Sequence, residues 1–369
     1  MNIPGLTVAC GMLTLPCRCN MDTSQNELLL QIPAALVPWY QANARKLPWR
    51  ENAEPYRVWL SEIMLQQTRV EAVRGYYARF LEALPTIADL AAVDDDRLLK
   101  LWEGLGYYNR AKNLKRAAQV VMYEYGGVFP QTHDEILALP GIGPYTAGAI
   151  SSICYGLPYP AVDGNVLRVF ARLTAMMESI DLPAVKKHVT EALIPLYLEA
   201  DPATLNQALM ELGAIVCLPN GAPLCDACPL SQLCQARAME TQLQYPVRTP
   251  KKARRSEVKT VFILTCGDKL AVEKRDPAGL LGGLWALPNV DGELDEHSAL
   301  ELAANWGVKP IELTYAKQKK HIFTHVEWHM RGYYIECRTE SPQFTWVNAD
   351  ERADRVALPT AFRQFLDSD

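Results

Sequence analysis

Two hydrophobic periods divide this chain. From Asn26 to about Cys217, apolar residues return every three to four positions, the spacing of amphipathic helices. Leu29, Ile32, Leu36 and Trp39 mark one face of a helix over Asn26–Lys46. Pro55 suits a first helical turn, and Val58, Trp59, Ile63, Val70, Val73 and Tyr77 continue the period as a single long helix. Further helices follow over Pro85–Leu101. His133–Leu139 reads as a short helix carrying Ile136 and Leu139, and a second helix opens near Tyr145 with Ile150 and Ile153 on one side. From Val258 the period falls to two: Val258, Thr260, Phe262 and Leu264 alternate with their neighbours, which is strand pattern. Strands near Leu270–Lys274, Lys320–His325 and Val326–Cys337 surround a helix near Glu296–Trp306, and Pro359–Leu366 closes the chain as a helix. The pattern therefore predicts an all-α domain over 26–245, a linker over 246–257 and a small α+β domain over 258–369, with residues 1–25 as a loose extension.

Composition narrows the class. The 369 residues are 49% hydrophobic and 21% charged, as in a globular protein of two or three domains. No apolar run approaches the ~18 residues of a membrane span, and no basic segment precedes Gly5–Leu15 as a signal peptide requires. An intracellular protein is expected, and no membrane partner. The formal net charge of −5 means that any contact with nucleic acid must come from local basic patches. One candidate is Gly104-Leu105-Gly106-Tyr107-Tyr108-Asn109-Arg110 with Lys112, Lys115 and Arg116, where exposed aromatics beside cations suit bases and phosphates. Another is the run Arg248, Lys251, Lys252, Arg254 and Arg255 in the linker.

Four features carry candidate chemistry. Between the two helices near residue 140 stands Pro140-Gly141-Ile142-Gly143-Pro144. Two glycines in so tight a turn let another molecule approach the backbone, and the free N–H groups of a helix start suit a phosphate oxygen. Asp163 precedes the apolar pattern Val166, Leu167, Val169 and Phe170, the place of a helix N-cap. Glu62 sits one turn from Val58 and Trp59 among large apolar residues. Partial burial there would raise its pKa and keep it protonated near neutral pH. Lastly, Cys217, Cys225, Cys228 and Cys234 crowd into one loop of a chain without secretory signals, which argues for metal over disulfides. Structural zinc and a four-thiolate iron–sulfur cluster both remain open on spacing. Cys10, Cys17 and Cys19 are a weaker metal candidate.

Resemblance adds to this reading. Helix, G-x-G turn and helix over 133–153 resemble the helix-hairpin-helix DNA-binding motif. Leu139-Pro140-Gly141-Ile142-Gly143-Pro144-Tyr145-Thr146-Ala147, followed by Val162-Asp163-Gly164-Asn165-Val166, resembles the endonuclease III superfamily of DNA glycosylases, in which Asp163 would be the essential aspartate. The cysteine spacing resembles that superfamily's 4Fe–4S loop, with one extra residue in the first gap and no basic residue over Leu218–Leu224. One 4Fe–4S cluster on Cys217, Cys225, Cys228 and Cys234 is implied. Asp276–Trp285 resembles the approach to a Nudix helix. However, the pattern R-E-x-x-E-E-x-G, counted back from Gly307, meets Leu300, Glu301, Ala304 and Asn305. Alanine and asparagine cannot hold divalent metal as paired carboxylates do, so the domain is expected to recognise and not to hydrolyse.

Helical glycosylase, cysteine loop and Nudix-like domain in this order resemble the MutY-type adenine DNA glycosylases, as do Leu47–Arg50 and Trp59–Thr68. The resemblance implies removal of adenine mispaired with 8-oxoguanine or guanine in double-stranded DNA, by a monomer. Glu62 would be the acid that protonates adenine. Asp163 would stabilise the sugar cation, with Tyr145 and Asn165 orienting that carboxylate or a water. Arg50, Leu65, Gln67 and Gln207 would line the base pocket. Gln66 and Tyr107 would fill the space that the flipped adenine leaves, and Gly141 and Gly143 would meet the DNA backbone. Phe323-Thr324-His325 stands where the family carries a Phe-Ser-His turn that reads the lesion. Tyr145 occupies the position of the lyases' Schiff-base lysine, and a phenol forms no imine, so no strand cleavage is expected. Two rival activities are a bifunctional glycosylase/lyase of the endonuclease III kind and a Nudix-type nucleotide pyrophosphatase.

Overall fold

The structure is a computed structural model, and it describes residues 23–250 and 252–367. The backbone of 23–25 is helical. The rest of the 1–25 extension, with Cys10, Cys17 and Cys19, lies outside the described residues, as does Lys251. The chain forms two compact units that cut across the 26–245 stretch. One comprises residues up to Ala44 together with Val162–Arg248, and the other Arg45–Ala161 together with Thr249 onward.

In the first unit, the helix expected over Asn26–Lys46 is two, Thr23–Leu30 and Ile32–Asn43. They part at Gln31, because Pro33 has no N–H to bond the carbonyl four residues back and so breaks a continuous helix but suits the first turn of a new one. Leu29, Ile32 and Leu36 are buried there as the pattern predicts. They pack with Val166, Val169 and Phe170 of the Gly164–Leu173 helix and with Leu205 and Leu209 of the Pro202–Ile215 helix. The cysteine loop follows directly on this last helix.

In the second unit, the long helix expected from Pro55 through Tyr77 breaks. Pro55–Leu65 and Val70–Ala83 are separate helices. Gln67, in the connection, takes a φ of 59°, a left-handed conformation that ends any α-helix. The Pro55–Leu65 helix is buried on nearly every side, Tyr56, Trp59, Leu60 and Met64 included. The hairpin appears as His133–Ala138 and Pro144–Tyr155.

The C-terminal part is the α+β body that the two-residue period predicts. Strands β1 (Arg255–Cys266), β2 (Lys269–Lys274), β3 (Trp285–Ala286), β4 (Asn289–Asp291), β5 (Pro310–Ile322), β6 (Val326–Cys337) and β7 (Thr345–Val347) form one sheet. Its main order is β3-β2-β1-β6-β5, with β4 on β1 and β7 on β2. β1 and β6 run parallel from Arg255↔Val326 to Thr265↔Glu336, and β5 pairs antiparallel with β6. The strand expected over Lys320–His325 is displaced: β5 ends at Ile322, and Phe323-Thr324-His325 is the loop of the β5–β6 hairpin. Phe323 N–H closes that loop on Val326 O at 2.9 Å. The Glu296–Asn305 helix caps one sheet face, and the final helix is short, Thr360–Arg363. Leu284 and Ala357 of this body enter the same core as Trp59 and Leu105 of the helical part. Lys100 adds bonds to Arg352 O and Val356 O, both 3.1 Å.

Candidate active site and nucleic-acid interface

The Pro55–Leu65 helix carries Glu62 into the core, where it is 5% exposed. A buried carboxyl needs a partner, and the Tyr145 hydroxyl donates to Glu62 Oε2 at 2.5 Å. Tyr145 is in the first turn of the Pro144–Tyr155 helix, so the hairpin's second helix and the acid's helix are tied at this point. The neighbouring Cys154 thiol is pushed up to about 12, by burial first and then by the charge of Glu62.

The hairpin turn shows why its two glycines differ. Gly141 has a φ of 76°, and a Cβ there would strike Asn113 Cβ at 2.5 Å, so the fold itself demands glycine. Gly143 has an ordinary φ of −98°, and a Cβ there would meet nothing within 4 Å. It is the N-cap of a helix whose end has no side-chain cap. That leaves exposed N–H groups at a positive helix end, an anion-binding arrangement.

Gln66, Gln67, Tyr107, Gly141, Phe323, Thr324 and His325 all line one cavity of about 840 Å³. Gln66 caps the acid's helix and Tyr107 is exposed, with a φ of 49°. Three non-glycine residues that line this cavity, Gln67, Tyr107 and Leu281, take left-handed backbone, a strain that persists only where the surrounding structure holds it. The Tyr107 and Thr324 hydroxyls are 2.8 Å apart. Tyr108, expected on the surface, is buried. Two of the cations assigned to phosphates are committed elsewhere: Lys112 donates to Gly282 O at 2.8 Å and Lys115 pairs with Asp95 at 2.5 Å. Arg50 bonds Arg45 O at 3.2 Å, and Leu65 packs on the helical core.

In the other unit, Asp163 is the N-cap of the Gly164–Leu173 helix, accepting from Val166 N–H at 2.8 Å and from the Asn165 amide at 2.7 Å. Burial raises its pKa above the ordinary 3.8, and these donors oppose the rise. Gln207 accepts from the Tyr40 hydroxyl at 2.8 Å. The sequence reading passed over Arg168 and Arg172, one turn apart on the same helix. Arg168 bonds Asn165 Oδ1 at 2.8 Å, Gly213 O at 2.7 Å and Cys217 O at 2.8 Å. Arg172 bonds Cys217 Sγ at 3.2 Å and Leu218 O at 2.9 Å. The signal was present: two arginines inside an apolar helical pattern are buried only if their donors are satisfied.

Cys217, Cys225, Cys228 and Cys234 line one cavity of about 30 Å³. Among the described residues, no group of three or more His, Cys, Asp or Glu is placed to hold a metal ion. Four thiols facing one cavity are a donor set suited to a thiolate-bound metal centre. Burial pushes the Cys228 thiol up to about 12, so an ionised set there needs positive charge at its centre.

Comparison with known proteins decides the family. Residues 60–195 match the HhH-GPD superfamily of base excision DNA repair proteins, and 260–368 match the NUDIX domain. The adenine DNA glycosylase of Rattus norvegicus is 32% identical over 89% of this chain and 77% of its own length. That of Buchnera aphidicola subsp. Acyrthosiphon pisum is 35% identical over 90% and 96%. The chain belongs to the adenine DNA glycosylase family. A thermostable thymine-DNA glycosylase shares the helical fold at 28% identity and a TM-score of 0.52, over 58% of this chain and 99% of that one. An endonuclease III–DNA covalent intermediate shares the fold at 24% identity and a TM-score of 0.50, over 60% and 99%. The NUDIX match coexists with Ala304 and Asn305 on the Glu296–Asn305 helix, where that family's hydrolases need acids.

Proposed function

We propose that this adenine DNA glycosylase family member hydrolyses the N-glycosidic bond of adenine paired with 8-oxoguanine or guanine, and leaves the strand uncut. The buried Glu62–Tyr145 hydrogen bond carries the reading. Adenine is a poor leaving group, so its departure needs a proton on the base and a negative charge facing the oxocarbenium-like sugar, as in glycoside hydrolysis. Glu62 is the acid, and Tyr145 sets its orientation. Asp163 is the anion, held by the helix start and by Asn165. Tyr145 has no amine with which to trap the sugar, which leaves hydrolysis without lyase chemistry.

Gln66 and Tyr107 fill the gap as adenine leaves the stack, a step that costs least at a mispair. Arg50, Leu65, Gln67 and Gln207 receive the extruded base. Phe323, Thr324 and His325 read the opposite lesion, and Gly141 and Gly143 meet a phosphate. Cys217, Cys225, Cys228 and Cys234 would hold one 4Fe–4S cluster, which when bound ties the loop to the helix of Arg168 and Arg172. The protein acts as a monomer inside the cell, with 26–245 as its catalytic domain and 258–369 as its lesion-reading domain. The deciding experiment is an excision assay on an A:8-oxoguanine duplex with and without hot alkali. Strand breaks only after alkali support the reading; breaks without it assign lyase chemistry, and no adenine release refutes it.

A further inference from the structure

Arg110 is half-buried, and its guanidinium bonds backbone carbonyls of two separate turns. Its Nη1 donates to Ile63 O at 2.7 Å, Met64 O at 3.1 Å and Gln66 O at 2.7 Å. Its Nη2 donates to Leu105 O at 3.1 Å and Gly106 O at 3.0 Å. The first set is the C-terminal end of the Glu62 helix, where unpaired carbonyls and the negative helix end favour a cation. The second is the glycine turn that presents Tyr107. The guanidinium also lies over the Trp102 ring at 5.3 Å and the Tyr107 ring at 5.6 Å. Burial pushes its pKa down to about 10, so it remains a cation at neutral pH.

Both segments it grips hold a non-glycine residue in left-handed backbone, Gln67 and Tyr107. Such conformations persist only where the surroundings over-determine them. One flat fork of donors bonded to both turns supplies that constraint, whereas an ammonium is a compact point that cannot span the two.

We infer that Arg110 is a positioning residue that fastens the Gln66 and Tyr107 turns into one rigid double wedge, so that the two side chains enter the DNA stack as a unit. The inference rests on the stack-filling roles given to Gln66 and Tyr107 under the proposed function. Rigid coupling has a consequence that independent wedges lack: loss of either one disables the other.

The test uses the full-length protein and an A:8-oxoguanine duplex with 2-aminopurine beside the target adenine, whose fluorescence rises as the base leaves the stack. Gln66→Ala, Tyr107→Ala and the double variant, all with Arg110 intact, form one cycle; the same cycle is repeated with Arg110→Lys. The expected result is a coupling of about fivefold or more in the flipped fraction and in the single-turnover rate, lost in the Arg110→Lys background. Arg110→Lys alone lowers both readouts while binding to undamaged duplex stays unchanged. Single effects that multiply without coupling in the Arg110 background overturn the inference, even if Arg110→Lys fails to fold. Arg110→Lys readouts within about twofold of wild type also overturn it. A wild-type protein that gives neither fluorescence rise nor adenine release sinks the proposed function itself, a different failure.

Discussion

The Pro55–Leu65 and Glu296–Asn305 helices each stand where a known family places a functional glutamate, and they have opposite fates. The first buries Glu62 among Trp59, Ile63 and Met64 and gives it the Tyr145 hydroxyl. The second leaves Glu301 exposed, with Ala304 and Asn305 beside it where further acids belong. Both regions match their families along most of the domain, but only one retains an acid with a shaped environment. A domain match transmits the fold, because many interchangeable apolar positions specify it. Chemistry depends on a few side chains with particular charges, and single replacements erase it.

The largest effect expected from this contrast is Glu62→Gln, which removes the acid with little change of shape. Excision on an A:8-oxoguanine duplex should fall by roughly a hundred- to ten-thousandfold, with mispair binding retained in a gel-shift assay. A variant of near-normal turnover would take Glu62 out of the mechanism.

Asp163→Asn comes next, at about a hundred- to a thousandfold in single-turnover rate. It should also stabilise the fold. Burial raises the Asp163 pKa above 3.8, so the stability it contributes is full below that value and is lost as pH rises through its folded pKa. Asparagine keeps the N-cap without the charge. The variant's melting temperature should therefore exceed that of wild type at neutral pH and converge with it in acid. The same shift places the acid limb of the wild-type pH–rate profile above 3.8. Equal melting curves at neutral pH would contradict the desolvation argument.

Thr324→Ala is expected to change discrimination between 8-oxoguanine and guanine opposite adenine by only a few-fold, the worth of about one neutral hydrogen bond. Unaltered discrimination would release Thr324 from lesion reading. Smallest of all, Glu301→Gln should leave excision untouched, and magnesium-dependent pyrophosphate release from an oxidised purine nucleoside triphosphate should stay at background in wild type. Release above background would restore the hydrolase reading of the C-terminal domain.

Much of the site was legible along the chain because its parts are local. The hairpin turn, the Asp163 cap and the cysteine loop each lie within a few turns of sequence, and their spacing is itself the signal. Even so, the 3.6-residue period ran straight through Thr68 and missed the break that makes Gln66 and Gln67 a wall of the cavity. Apolar period reports burial, and burial continues on both sides of that break, at Ile63 and at Val73.

What the amino-acid order determined by itself was the division into helical and alternating segments, the pair of acids, the four thiols and the missing Nudix carboxylates. Only tertiary structure decided which cations are spent. Lys115 goes to Asp95, Lys112 to Gly282 and Arg110 to the carbonyls of two turns. It also decided that Phe323-Thr324-His325 forms a turn beside Tyr107. The physical reason is range. Helical and strand periods are set by neighbours within about four positions, whereas these partners lie 20, 170 and 217 positions apart for Lys115–Asp95, Lys112–Gly282 and Tyr107–Thr324, and only the packing of whole elements brings them together.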